Sequence, residues 1–219
     1  NPTFRHLFAA QIVALVGTGL ATVALGLLAW QLAGDNAGAV LGTALAIKMV
    51  AYVTLAPLAS AIAERLPRRA FLVALDLIRA GVIACLPFVD QVWQVYVLIF
   101  FLQAASAGFT PAFQAVIPDV LNDEEDYTNA LSLLRLAEDL EQLASPMIAA
   151  LLLTVVGFPV LFAGTVVGFV ASALLVMTAR LPDRARAEDS HFWADVTKGV
   201  RIYTATPRLR GLMVMEAAV

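Results

Sequence analysis

Charged and turn-forming residues divide the chain into long apolar runs. The first runs from Leu7 to Leu32 and ends at Gly34-Asp35-Asn36. The second, Val40 to Ala63, is interrupted only by Lys48, and the third, Ala70 to Phe88, carries Asp76 and Arg79. The fourth, Val92 to about Ala115, has no charge. The fifth, Tyr127 to Val156, holds Arg135, Glu138, Asp139 and Glu141 in its first half, and the sixth spans Val160 to Ala179. Gln142 to Ala179 is 38 residues without a charge. As one helix it would be about 57 Å long at 1.5 Å per residue, so Gly157-Phe158-Pro159 is predicted to be a turn. A seventh run begins near Leu209. The runs lack the alternation of a membrane barrel, whose strands are about ten residues long. They predict helices, in which Gly17, Gly19, Gly26, Pro57, Pro111 and Pro146 are tolerated because neighbours re-satisfy freed backbone groups.

Composition agrees with a membrane bundle. The 219 residues are 61% hydrophobic and 14% charged, with a mean hydropathy of +0.84. A soluble domain is about a quarter charged, and disorder requires low hydrophobicity with high net charge. A bilayer span needs about 20 apolar residues, so the length allows about six or seven passes. A net charge of −3 gives no general affinity for nucleic acid. The lone Cys85 excludes a disulfide framework, and His6 and His191 lie too far apart to predict a metal site. The run from Leu7 to Gly34 is too long for a signal-peptide core. The chain begins Asn1-Pro2 rather than with Met and stops inside an apolar run at Val219, which is read as a fragment of a longer protein.

Basic residues set the orientation. Outside the runs they are Arg5, Arg65, Arg68, Arg69, Arg180, Arg184, Arg186, Lys198, Arg201, Arg208 and Arg210. All precede the first run, lie between the second and third, or follow the sixth. The positive-inside rule then makes the amino terminus cytoplasmic. The loop between runs four and five shares that side yet is acidic, with Asp119, Asp123, Glu124, Glu125 and Asp126. A basic loop on the same side is its expected partner.

That basic loop reads Ser60-Ala-Ile-Ala-Glu-Arg-Leu-Pro-Arg-Arg69. It resembles the G-x-L-A-D-R-x-G-R-R signature of the major facilitator superfamily through Ala63, Glu64, Arg65, Arg68 and Arg69, with Ser60 and Pro67 replacing the two glycines. Thr110-Pro-Ala-Phe-Gln-Ala-Val-Ile-Pro-Asp-Val-Leu121 and Asn129-Ala-Leu resemble the efflux branch that includes macrolide exporters and the enterobactin exporter. Ser145-Pro146 with Ala149-Ala150 resembles the antiporter motif G-P-x-x-G-G with every glycine replaced; Pro146 alternatively serves only to kink its helix. The resemblance implies an all-α six-helix bundle of two inverted three-helix repeats, plus the start of a seventh helix. Residues 1–180 would form this domain, 181–208 a cytoplasmic linker, and 209–219 the opening of helix seven. The linker carries an amphipathic stripe of Phe192, Trp193, Val196, Val200 and Tyr203. It also implies a contact of Arg65, Arg68 or Arg69 with Asp119 that biases the outward-facing state.

In the family, the first and fourth helices line the central cavity. Independently, Gln11, Thr18 and Thr22 share one face of the first run, and Gln103, Ser106, Thr110 and Gln114 share one face of the fourth. Such stripes line a cavity or form interhelical hydrogen bonds. With Lys48, these residues are the candidate substrate cavity. Intramembrane charges normally pair or meet water. Asp76 and Arg79 are i, i+3 and read as a structural ion pair near the cytoplasmic end of the third run. Arg135 can satisfy Glu138 or Asp139 but not both, and Lys48 is a candidate cross-helix partner. The excess acid is either a proton-coupling site, in the order Asp139, Glu141, Glu138 with Arg135 as modulator, or a set of solvated charges at a helix start.

No nucleotide-binding loop, nucleophile constellation or metal signature appears in the sequence. The expectation is a secondary transporter of the bacterial inner membrane, exporting a small organic molecule with proton coupling and no cofactor. Its partners would be the substrate, protons, the bilayer and a missing carboxy-terminal half. The membrane domain of an ATP-driven exporter and an uncoupled transporter-like receptor are the alternatives. Cysteine placed at Asn36 or Asp90 is expected to react with an impermeant thiol reagent from outside, and at Glu188 only after permeabilisation. Protection at Asn36 with labelling at Glu188 in intact cells would reverse the assigned orientation.

Overall fold

The computed structural model describes residues 2–63, 66–121 and 123–179. Among them the regular structure is entirely helical. The long helices are α1 (Pro2–Ala33), α2 (Ala37–Ala63), α3 (Arg68–Cys85), α4 (Val92–Gln114), α6 (Glu124–Leu153) and α7 (Pro159–Thr178), and α5 (Ile117–Val120) is a single turn. Each of the first six apolar runs coincides with one long helix. The expected linker and the start of helix seven lie outside the described residues, as do Glu64 and Arg65 of the loop motif.

Local chemistry sets the boundaries. Gly34 adopts φ +53°, a left-handed conformation that stops α1 and that a side chain would strain. Gln94 Oε1 accepts from the Gln91 and Asp90 N–H groups, both at 3.0 Å, and closes a capping box on α4. α6 starts three residues earlier than its apolar run because the Asp123 side chain accepts from the Glu125 N–H and because Glu124, Glu125 and Asp126 fill the first turn. Acids there complement the positive end of the helix dipole. α7 opens on Pro159, whose missing N–H costs nothing at a first turn.

Among the described residues four stretches are long and apolar enough to cross a membrane: Pro2–Leu55, which takes in α1 and most of α2, then Arg68–Phe88, Val92–Val120 and Pro159–Thr178. α6 differs from them through the charges of its first half.

α1 packs most extensively on α7, and also meets α6 and α2; α3 lies between α7 and α4, and α2 lies on α4. The α1 residues buried at the seam, Leu7, Ala10, Ala14, Gly17, Ala21, Ala24 and Leu28, recur at alternating steps of three and four. The buried side of α7 repeats the pattern with Phe162, Thr165, Phe169, Ser172 and Val176. That period keeps one face toward a partner along the whole helix. Most of the α1 set are alanine or glycine, which lets backbones approach where lipid supplies no hydrophobic drive.

Gly17 and Gly168 mark the tightest point. A Cβ on Gly168 would lie 3.1 Å from the Val13 carbonyl oxygen, and one on Gly17 would lie 3.3 Å from that of Thr165. The Thr165 hydroxyl donates to the Gly17 carbonyl at 2.8 Å across the seam. Gly168→Val is therefore expected to destabilise the bundle by about 1–3 kcal/mol, the usual cost of overpacking. A lowered melting temperature of the detergent-solubilised protein measures it, and an unchanged one would show that the seam yields.

Candidate functional site

Two apolar clusters fill the bundle. One gathers the start of α1, α3 and α6 with the end of α4 and α7, around Leu7, Leu72, Phe109, Phe113, Ile117, Leu134 and Val176. The other gathers the opposite ends, around Leu28, Ile83, Leu86, Ile99, Leu161, Phe162 and Phe169. Polar side chains lie between the two.

The centre of this layer is Asp76 and Arg79, which form an ion pair on α3. Asp76 is 0% and Arg79 6% exposed. Ser172 of α7 donates to Asp76 Oδ2 at 2.8 Å. The Arg79 guanidinium carbon sits 4.0 Å from the Phe109 ring centroid and 4.6 Å from that of Phe169. Cation–π contacts of this kind strengthen as water is excluded. The pair was expected near one end of its helix. Asp76 instead lies eight residues into α3, about 12 Å along it, where both carboxylate oxygens are bonded and the guanidinium lies against two phenylalanine rings.

Tyr52 of α2 joins this layer and carried no signal in the sequence beyond an aromatic within an apolar run. It is hydrogen-bonded to Thr110 of α4 and lies within electrostatic range of Arg79 and Glu138.

The candidate cavity residues occupy α1, α2 and α4. Gln11, Lys48, Gln103, Ser106 and Thr110 are half-buried, while Thr18, Thr22 and Gln114 are exposed. Their hydroxyls turn back on their own helices: Thr18 donates to the Ala14 carbonyl at 2.9 Å, Thr22 to that of Thr18 at 3.0 Å, Ser106 to that of Leu102 at 2.9 Å and Thr110 to that of Ser106 at 3.4 Å. Each hydroxyl hydrogen is thereby used, and its lone pairs are what it presents. Gln11 Oε1 is buried and has no hydrogen-bond partner among the described residues, an acceptor of the kind that normally finds one.

The acids of α6 separate. Glu138 takes Arg135 at 3.1 Å. Glu141 is half-buried and accepts from Ser145 Oγ at 2.9 Å. Asp139 is exposed. Among the described residues neither Asp139 nor Lys48 has an ion-pair partner, so the expected pairing of Lys48 with an α6 acid does not form.

At the end of the bundle where α3 begins, Arg68 forms an ion pair with Asp119 and donates to the Ala115 carbonyl at 2.9 Å. Arg69 donates to the Ala179 carbonyl at 2.6 Å. These carbonyls close α4 and α7, so the two arginines satisfy orphan acceptors at the negative ends of two helix dipoles. Glu64 and Arg65 of the same motif lie outside the described residues.

The family model of the Major Facilitator Superfamily matches residues 7–215. The chain belongs to that superfamily. It is therefore a multi-pass membrane protein of a transporter family, and its apolar helices are spans. Macrolide efflux protein A of Streptococcus pyogenes is 26% identical over 220 aligned residues, covering 97% of this chain and 54% of the relative. Macrolide efflux protein A of Enterococcus faecalis is 26% identical over 188 residues, covering 80% and 58%. The chain thus spans about half the length of the curated relatives it matches.

A buried ion pair is costly to break and cheap to replace whole. Asp76→Leu alone, leaving Arg79 charged among phenylalanines, is expected to cost about 3–5 kcal/mol, and Asp76→Leu with Arg79→Met to cost less than either Asp76→Leu or Arg79→Met alone. Melting of the four proteins in one detergent tests the cycle; strictly additive losses would show that the pair is not coupled.

Proposed function

We propose that this chain is the amino-terminal half of a proton-driven exporter that moves an amphipathic organic molecule of the macrolide kind by alternating access. The observation that carries the reading is the family match over residues 7–215 together with the identity to macrolide efflux protein A over 97% of the chain. The full carrier would add a second six-helix half, sit in a bacterial inner membrane and keep its amino terminus in the cytoplasm.

The inverted-repeat arrangement is part of the proposal and has support in the packing. Exchanging α1, α2 and α3 with α4, α6 and α7 turns the α1–α7 contact into α4–α3, and the α2–α4 contact into α6–α1, while α3–α7 maps onto itself. All five contacts occur. Transporters of this type bind substrate near the midplane, at the repeat interface. In this chain that position corresponds to Gln11 and Thr18 of α1, Tyr52 of α2, and Ser106 and Thr110 of α4.

Each group has a role in the proposed cycle. Gln11 supplies an unsatisfied acceptor for a substrate hydroxyl or amine. The back-bonded hydroxyls supply weaker acceptors and apolar methyl or methylene surface. The excess carboxylates of α6 carry the coupled proton. Arg68 and Arg69 tie α3 to the ends of α4 and α7 in one state, and their release accompanies the other. Individually such exposed pairs contribute little, so their effect is a bias between states rather than stability.

The test is transport by the full-length protein in proteoliposomes. A radiolabelled macrolide is expected to accumulate against its gradient when the lumen is acidic, and a protonophore is expected to abolish accumulation. Gln11→Leu is expected to raise KM more than it lowers the maximal rate. Accumulation that persists with the protonophore present and requires added ATP would overturn the reading.

A further inference from the structure

Among the acids of α6, Glu141 lies against α1 at Gly19. Ser145, one turn further along and buried, donates to Glu141 Oε1 at 2.9 Å. Both side chains press on Gly19 of α1. A Cβ built on Gly19 would collide with Ser145 Oγ, Ser145 Cβ and Glu141 Oε1. A hydrogen at position 19 is what admits a carboxylate and a hydroxyl to this seam.

The charges around Glu141 do not neutralise it. α1, the long helix packed against α6, has no titratable residue between Leu7 and Ala33. On α6 itself, Arg135 is engaged by Glu138, and Asp139 is exposed. α5 brings Asp119, which pairs with Arg68. From α2, Tyr52 lies within electrostatic range of Glu138, and Lys48 stands one turn before it. Among the described residues no base is within ion-pair distance of Glu141.

The opposite side of α1 is fixed. Gly17 is two residues from Gly19, about 200° around the helix. It receives the Thr165 hydroxyl of α7, and α7 is bonded through Ser172 to Asp76. Thr18 stands between the two glycines on the proposed cavity face. Thr18, between these two contacts, would be displaced relative to the proposed cavity by a change at the α6 side made against the held α7 side.

We propose that Glu141 is the proton-carrying positioning residue of the proposed export cycle, acting through Ser145 on Gly19 to set the position of α1. This rests on the proton-driven reading above. The neutral acid fits the closed α1–α6 seam. Glu141 is half-buried in this seam; a carboxylate gains more than a neutral acid from fuller hydration, so loss of the proton favours a wider seam. The proton enters from water on one side and leaves to water on the other, with only the carboxyl O–H bond made and broken. Two conformations that differ in proton affinity are what linkage between protonation and access requires.

The experiment uses the full-length protein in proteoliposomes with Cys85→Ser and Thr18→Cys, and an uncharged maleimide as probe. The labelling rate, divided at each pH by that of the same cysteine in the denatured protein so that thiolate formation cancels, is expected to change several-fold between acidic and alkaline pH. It is expected to become flat with pH in Glu141→Gln and to keep its pH profile in Asp139→Asn. Ser145→Ala, which retains the carboxylate and adds no bulk, is expected to keep the pH dependence but displace its midpoint. A pH profile that survives Glu141→Gln, or one already flat before that change, would overturn the assignment, and an unmoved midpoint in Ser145→Ala would remove Ser145 from it. Protonophore sensitivity of macrolide accumulation is measured on the same preparation. Insensitive accumulation refutes proton-driven export itself, whereas sensitive accumulation with a surviving pH profile in Glu141→Gln refutes only the role of Glu141.

Discussion

Inside a bilayer no hydrophobic force draws one helix to another, so the position of α1 depends on how near its backbone can come to its neighbours. Gly17 and Gly19 set that distance on two nearly opposite sides, one against Thr165 and Gly168 of α7 and the other against Glu141 and Ser145 of α6. The alanines above and below continue the α7 seam at the same period. Larger side chains at either glycine would push a partner helix outward and carry with it whatever that helix holds: the hydroxyl on Asp76 in one case, the α6 acids in the other. The polar chemistry of the bundle is therefore conditional on two positions without side chains.

The buried ion pair has a related logic. Arg79 stacks on Phe109, which belongs to one apolar cluster, and on Phe169, which belongs to the other. A leucine could fill that volume without any desolvation cost, and buried pairs are often replaceable in this way. What a leucine could not do is fix direction. Asp76 reads α7 through Ser172, Arg79 reads α4 and α7 through two rings, and each contact has one geometry. The pair specifies how α3, α4 and α7 are rotated about their axes, which apolar packing against lipid-like neighbours leaves loose. Arg68 and Arg69 do the same at the end of α3, by meeting the terminal carbonyls of α4 and α7.

The helices were legible because charge and turn residues separate runs of bilayer length, and Gly34 and Gly157-Phe158-Pro159 fall where the chain turns. α6 starts three residues before its apolar run because hydropathy excludes Glu124 to Asp126, whereas helix capping selects them. The Asp76–Arg79 spacing announced a pair, but not its depth, since the phenylalanines that enclose it come from α4 and α7, 30 and 90 residues away in sequence. Tyr52 and Gly19 were invisible as site residues for the same reason: nothing local distinguishes a glycine that faces a carboxylate from one that faces lipid. The small-residue period of α1 was present in the sequence all along, and it predicts the closest helix partner better than the polar stripe does.

The hydroxyls of α1 and α4 add a constraint on what the proposed cavity can hold. Thr18, Thr22, Ser106 and Thr110 each spend their hydrogen on a carbonyl of the preceding turn. Each is left with lone pairs, as is Gln11 through its unpartnered Oε1. A cavity so lined offers many acceptors of similar strength and little to direct a donor to any one of them. A net hydrogen bond contributes about 0.5–1.5 kcal/mol, and an acceptor left unmade in a buried site costs about 1–3 kcal/mol. Affinity for a donor-bearing molecule would then come chiefly from relieving Gln11, with the remaining contacts interchangeable. Such a molecule is held in one place by one group and tolerated in several orientations by the rest. That combination suits a carrier that must release what it binds, and in the proposed cycle a small displacement of α1 would move Gln11 and Thr18 together and so alter affinity and access at once.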